Sequence, residues 1–241
     1  MKGNQYKNGK RKIKKKKNTK TKKTEQKRVG KLVRFVLANS PKKYSGWNNR
    51  YSYQSNIHNL IYKGSIFTND KFQNCIITDC NFKKAKLTNI DFAHCNLKRT
   101  SFKGAFLCNV VIFNCNMTDV DFDEAILNNV AFICLNVNSI RNLDLTSDEV
   151  KIINKYPDIN HIELLNSALS LASFNQYYKY HVLNVTTQKV NNWMLYCLAA
   201  QYSSFDDVAK GLYALTRRKD KKGFITLGKY KKHLDSYLKL C

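Results

Sequence analysis

From Ile57 to Val137 every fifth residue is large and apolar: Ile57, Tyr62, Phe67, Phe72, Ile77, Phe82, Leu87, Phe92, Leu97, Phe102, Leu107, Ile112, Met117, Phe122, Leu127, Phe132 and Val137. Two positions before each lies a second column of mostly small residues, among them Ser65, Cys75, Cys80, Ala85, Cys95, Thr100, Ala105, Cys115 and Ala125, which only Asp70 breaks badly. A step of five is neither the 3.6 of a helix nor the 2.0 of a strand. A fixed period sustained this long predicts a stacked array in which each unit is buried by its neighbours.

A second period of twenty lies above the first. Tyr62, Phe82, Phe102 and Phe122 share one class; Phe72, Phe92, Ile112 and Phe132 another; Phe67, Leu87, Leu107 and Leu127 a third; Ile57, Ile77, Leu97, Met117 and Val137 a fourth. The small column sorts in the same way, as Ala85, Ala105 and Ala125 and as Cys75, Cys95 and Cys115, and so does a polar position, Asn69, Asn89, Asn109 and Asn129. Residues twenty apart are therefore expected to lie one above another, in a chain that turns through four sides per coil. With units such as Ala85-Lys-Leu-Thr-Asn89 and Val120-Asp-Phe-Asp-Glu124, residues 55–139 resemble the pentapeptide-repeat family. The resemblance implies a β-solenoid, a right-handed four-sided β-helix, here of about four coils. It says less about function, because one fold hosts many roles.

So short a solenoid needs caps over its apolar ends. Residues 29–54 are expected to cap the first coil, with Val29–Leu37 as a strand or short helix and Trp47, Tyr51 and Tyr53 closing the same end. After residue 139 the spacing turns helical, predicting a C-terminal α-helical domain over 140–241. A short helix is read from Ser147 to Tyr156, ended by Pro157. A second opens at Asn160, and a third runs from about Thr187 to Tyr202. A fourth starts from a capping-box-like Ser204 and Asp207, and a last one carries Tyr230, Leu234, Tyr237 and Leu238. The basic loop between the last two, with Gly223–Leu227, hints at a winged-helix shape.

Charge sharpens the division. The chain carries a formal +25. The first 54 residues hold 19 Lys/Arg against one acid, Glu25; residues 55–139 hold 8 against 7, and residues 140–241 hold 15 against 9. Residues 1–28 thus read as a basic, disordered arm with little to bury. Its densest stretch comprises Lys10, Arg11, Lys12, Lys14, Lys15, Lys16 and Lys17, followed by Lys20, Lys22 and Lys23. The natural partner of such a segment is a polyanion, held by counterion release and so steeply salt-dependent; RNA, DNA and an anionic membrane surface all meet the description. Lys63, Lys83 and Lys103, twenty apart, are expected to line one wall as a second phosphate track, and Arg217, Arg218 and Lys219 a third. The wall reverses sign at Asp121, Asp123 and Glu124.

Outward apolar positions Phe106, Val111, Phe113, Ile126 and Ile133 cluster on two adjacent walls of the last coils. Monomers rarely expose such a patch, so either a protein partner docks there or the C-terminal region folds back over it. The cysteines read as small apolar packing rather than as metal ligands or disulfides, with no Cys-x-x-Cys, and the histidines lack metal spacing. Asp79, Arg99 and Asp119 are expected to form a charge-balanced column. No catalytic motif, metal or cofactor site is evident. Reduced thiols, no secretory leader and no apolar run long enough to span a bilayer suggest an intracellular protein, in the cytoplasm or, in a eukaryote, the nucleus or an organelle.

The residues therefore suggest a non-enzymatic scaffold that associates with nucleic acid through its lysine-rich arm, as in a ribonucleoprotein or nucleoid complex, while the solenoid and helices hold a protein partner. The family resemblance adds an alternative, binding to a type II topoisomerase to protect or inhibit it, a role that uses an acidic surface. A third is an effector whose arm lies on anionic lipid.

Overall fold

The computed structural model describes residues 45–239; the arm over residues 1–28, with its ten lysines and arginines assigned to phosphate, and the capping segment up to residue 44 lie outside them. The strands are β1 (Tyr51–Tyr53), β2 (Ile66–Thr68), β3 (Lys71–Gln73), β4 (Lys86–Ala93), β5 (Phe106–Phe113), β6 (Ile126–Ile133) and β7 (Val150–Ile153), all parallel, in the order β1-β3-β4-β5-β6-β7 with β2 beside β4. Every pairing joins residues twenty apart. Four such columns give the four walls: Asn56, Ile76, Asn96 and Asn116; Ile61, Asn81, Ser101, Asp121 and Arg141; Ile66, Lys86, Phe106 and Ile126; and Lys71, Asp91, Val111, Ala131 and Lys151. The solenoid makes about five turns.

Its interior is the five-residue column. Tyr62, Phe82, Phe102 and Phe122 stack at centroid separations of 5.1, 5.2 and 5.2 Å, and Phe72 lies on Phe92 at 5.1 Å. The small column sits where the chain enters each wall. Its thiols and hydroxyls donate to a carbonyl one coil below: Cys75 to Ser52, Cys95 to Phe72 and Cys115 to Phe92, each at 3.4 Å, and Thr100 to Ile77 at 2.5 Å. These cysteines are reduced and buried.

The corners fall two residues after each central side chain, and there the backbone turns left-handed, with φ between 48° and 70° at Gln54, Asn59, Gly64, Asn69, Asn74, Asp79, Lys84, Asn89, His94, Arg99, Gly104, Asn109, Asn114, Asp119, Glu124, Asn129 and Cys134. Asparagine recurs at these positions because its short polar side chain tolerates that region better than most. No β-branched residue stands at any of them.

Both ends depart from expectation. At the first coil Trp47 does close the core, 5.5 to 5.9 Å from Tyr62, Phe67 and Phe72. Tyr51 and Tyr53 do not; they flank the inward Ser52 in β1 and point outward, Tyr51 onto Tyr180 and Gln73. At the other end, the helix read over Ser147–Tyr156 is instead β7, paired as Val130 with Val150 and Phe132 with Ile152. A helix there would have left the edge of β6 unpaired and Phe132 uncovered, so sheet pairing outweighs local propensity.

The C-terminal helices are α1 (Ile162–Ser170), α2 (Asn175–Tyr178), α3 (Asn192–Ala199), α4 (Phe205–Arg217) and α5 (Leu227–Leu238), with an antiparallel pair β8 (Asn184–Thr186) and β9 (Lys189–Val190) before α3. Ser204 caps α4 through the Asp207 N–H, as its box predicted. His161, not Asn160, caps α1, accepting the Leu164 N–H. The segment read as the start of the third helix is the β8–β9 turn, and the winged-helix hint fails: Phe224 and Ile225 are buried beside α5 rather than forming a strand. A second core of Leu164, Leu171, Tyr177, Leu195, Leu198, Leu212, Tyr230 and Leu234 includes Val111, Ala131 and Ile133 of the solenoid. The helices therefore pack on one wall of the tower.

Candidate functional site

The residues assigned to phosphate from the sequence separate once placed. Lys63, Lys83 and Lys103 do stand above one another, joined by main-chain bonds from Gly64 to Lys83, from Lys84 to Lys103 and from Gly104 to Asp123. The top of that stripe is neutralised: Lys103 pairs with Asp123 and, at 3.9 Å, with Glu124. Among the described residues Lys63 and Lys83 make no ion pair with an acid. On a neighbouring wall Arg99 grips Asp79 bidentately at 2.6 and 2.7 Å, which holds the Asp79 carboxyl below its ordinary range. The expected column is thus a structural ion pair.

Arg217, at the end of α4, and Arg218 and Lys219, in the loop that follows it, are exposed. Arg217 lies over Tyr213 and Arg218 over Phe224, at 5.1 and 5.4 Å, while Arg218 Nε donates to the Asp220 carbonyl at 2.6 Å. Two residues that sequence reasoning passed over join them. Lys229 on α5 is pushed below the ordinary lysine range by burial and then by the charges of Lys232 and Arg218. None of Arg217, Arg218, Lys219, Lys221, Lys222, Lys229 and Lys232 is ion-paired with an acid among the described residues. The signal was present as helical spacing: Lys229 and Lys232 are one turn apart and follow the loop directly.

The apolar positions divide. Val111 and Ile133 are buried in the second core, and Phe113 is half-covered against Trp193, with ring centroids 6.4 Å apart. The C-terminal region has folded back over these three, so they are not open to a partner. Phe106 and Ile126 lie on the adjoining wall outside this cover, where Ile126 is 62% exposed.

Buried charge fixes the docked wall. Lys71 and Asp91, cross-strand partners, are 2% and 1% exposed. Lys71 Nζ donates to the carbonyls of Tyr180 and His181 at 2.7 and 3.3 Å, and the Asp91 carboxylate accepts the Leu227 N–H at 2.9 and 3.2 Å, capping α5 from a strand of the solenoid. Burial pushes the lysine down to about 8 and the carboxyl up to about 6, each opposed by the other's charge. Beside them the corner asparagines form a ladder: Asn89 donates to Asn69, Asn109 to Asn89 and Asn129 to Asn109, at 2.9, 3.2 and 2.7 Å, and Asn129 also to Gln201 at 2.9 Å. Among the described residues no cluster of three or more His, Cys, Asp or Glu is placed to hold a metal, and no helix is long and apolar enough to cross a membrane.

Residues 75–112 and 90–129 match the family described as pentapeptide repeats, in eight copies. Residues 75–129 of the solenoid thus resemble pentapeptide repeats. Solved structures similar to this chain include QnrB1, a plasmid-mediated fluoroquinolone resistance protein (17% identity, TM-score 0.29, covering 37% of this chain and 55% of that one). Others are a pentapeptide repeat protein from the thylakoid lumen of Arabidopsis thaliana (16%, 0.32, 60% and 89%) and one from the cyanobacterium Nostoc PCC 7120 (17%, 0.26, 52% and 94%). The chain thus spans about half the length of the QnrB1 structure it matches. No curated protein matches it in sequence.

Proposed function

We propose that the protein is a non-enzymatic pentapeptide-repeat scaffold that associates with nucleic acid through its cationic segments. The observation that carries this reading is an excess of positive charge in two stretches of the sequence. The first 54 residues hold 19 Lys/Arg against one acid, and the end of α4 with the loop after it gathers five cations beside Lys229 and Lys232, with Asp220 as the one acid among them. Phosphate neutralised by these groups releases counterions, giving affinity at low salt that falls steeply as salt rises. No base-reading motif accompanies them, so recognition is by charge and shape. The tower supplies a rigid mount, and the uncovered wall with Phe106 and Ile126 remains for a protein partner.

The test is a binding titration with RNA and duplex DNA over a range of salt, using the full chain, a chain lacking residues 1–43, and the triple variant Arg217→Glu, Arg218→Glu, Lys219→Glu. Both variants are expected to weaken binding and flatten the salt slope. Unchanged affinity in both would overturn the proposal. Co-purification before and after nuclease treatment separates it from the alternatives: partners lost with nuclease support it, a topoisomerase retained after nuclease favours the second reading, and recovery with anionic vesicles the third.

A further inference from the structure

A cleft of about 470 Å³ opens between the docked wall and the β8–β9 hairpin, bounded by Gln73, Ala93, His94 and Phe113 on the solenoid and by Tyr156, Lys189 and Trp193 opposite. The volume is that of a small-molecule site. Its aromatic wall is already assembled: Trp193 meets Tyr156 edge-on at 5.4 Å and 89°, and Phe113 at 6.4 Å, so the indole is held by neighbours on the solenoid and on the segment after β7. Its charge is one-sided. Lys71 and Lys189 line it, and no Asp or Glu does. Lys71 is fixed behind the wall by two carbonyls, whereas Lys189 is exposed at the mouth. His94 also lines it, with its Nδ1 facing the Asn114 amide at 3.0 Å. Burial and then the Lys71 charge hold it below the ordinary imidazole range.

We propose that this cleft binds a small planar aromatic anion, its ring stacked against Trp193 and its carboxylate or phosphate met by Lys189. Each half of the ligand answers a feature of the site. A rigid indole offers stacking at little entropic cost, and a positive, acid-free lining rejects cations and draws anions. Neither half needs the polyanion reading above; the site is built by the C-terminal domain and one wall of the tower.

The chemistry is shared by nucleotides and by aromatic carboxylates, so the full chain is titrated separately with adenosine monophosphate and with benzoate, and with adenosine and inorganic phosphate as the two half-ligands. Binding is read by calorimetry and by the fluorescence of Trp193, one of two tryptophans. The expected result is saturable binding of at least one aromatic anion, one per chain, about tenfold weaker for the matching half-ligand and about tenfold weaker in Lys189→Glu and in Trp193→Leu. Lys189 is exposed at the start of β9, beside the hairpin turn, so its reversal leaves the fold intact, which circular dichroism checks. A preference for adenosine monophosphate identifies a nucleotide as the source, a preference for benzoate a carboxylate. The proposal is overturned if neither aromatic anion saturates at millimolar concentration. It is equally overturned if binding is the same in Lys189→Glu as in the parent, the result expected of an anion held by the lysine-rich segment alone.

Discussion

The carboxylate of Asp91 holds the main-chain N–H of Leu227, 136 residues further along the chain, at 2.9 Å. An outward side chain of the solenoid thereby caps the last helix, a task that falls to a residue of the helix's own leading turn in most proteins. Thr226, at the usual capping position, makes no capping bond, and its hydroxyl is buried without a partner. Replacing Asp91 by alanine leaves the buried Leu227 N–H without this acceptor and the buried Lys71 ammonium without its counter-charge, held only by the Tyr180 and His181 carbonyls. The expected cost is about 3 kcal/mol, measured by denaturant unfolding. Loss of less than a third of that would mean that apolar packing alone holds the helices to the tower.

Phe102 stacks on Phe82 below and Phe122 above, both at 5.2 Å. Truncation to alanine empties the middle of the longest aromatic ladder, and the rigid corners on either side prevent collapse. A loss of about 3–5 kcal/mol is expected, seen as a lower denaturation midpoint with the slope unchanged. A cost near zero would show that the ladder is not a stabilising unit.

Gly228 lies one residue into α5, where a Cβ would stand 2.5 Å from Asn89 Oδ1 and 2.7 Å from its Cβ. Glycine to alanine inside a helix ordinarily stabilises by about 1 kcal/mol. Here the sign reverses, because Asn89 is tied above and below in the asparagine ladder and cannot swing away. Gly228→Ala is expected to destabilise by about 1–3 kcal/mol as an overpacked contact. The double variant with Asn89→Gly should recover part of that loss; failure to recover any would place the strain elsewhere.

These residues differ in how far the sequence reveals their roles. The Phe82–Phe102 contact was legible, because inward side chains obey a period that solvent cannot imitate. The corner asparagines were visible as a column, but not as a buried ladder, since nothing local says that a helix will cover them. Strand β7 was missed although Val150 and Ile152 stand twenty beyond Val130 and Phe132; the intervening ten residues break the five-step, and Ser147 imitates a helix start. Lys71 and Asp91 were illegible. At outward positions of a solenoid both look like ordinary solvated charge, and only the approach of Tyr180, His181 and Leu227 makes them the fastening. The cleft is invisible for the same reason, being formed by segments that no spacing relates.

The buried charges also set a pH dependence. Burial raises the Asp70 carboxyl to about 6 from 3.8, despite the Arg50 N–H that donates to it at 2.7 Å, and Asp91 rises to about 6 as well. A raised acid binds its proton more tightly folded than unfolded, so stability is full below about pH 4 and falls as pH climbs to about 6. Lys71 has the opposite slope: lowered to about 8 from 10.5, it sheds its proton more readily when folded, and stability recovers as pH rises from about 8 to 10.5. These groups together predict a minimum between about pH 6 and 8, where all three are charged. Asp70→Asn isolates one limb, since the amide oxygen can still take the Arg50 N–H while nothing remains to ionise. Its midpoint in urea should exceed that of the parent at pH 7, match it more closely at pH 4, and vary less between the two. An acid limb as steep in Asp70→Asn as in the parent would assign the slope to Asp91 alone.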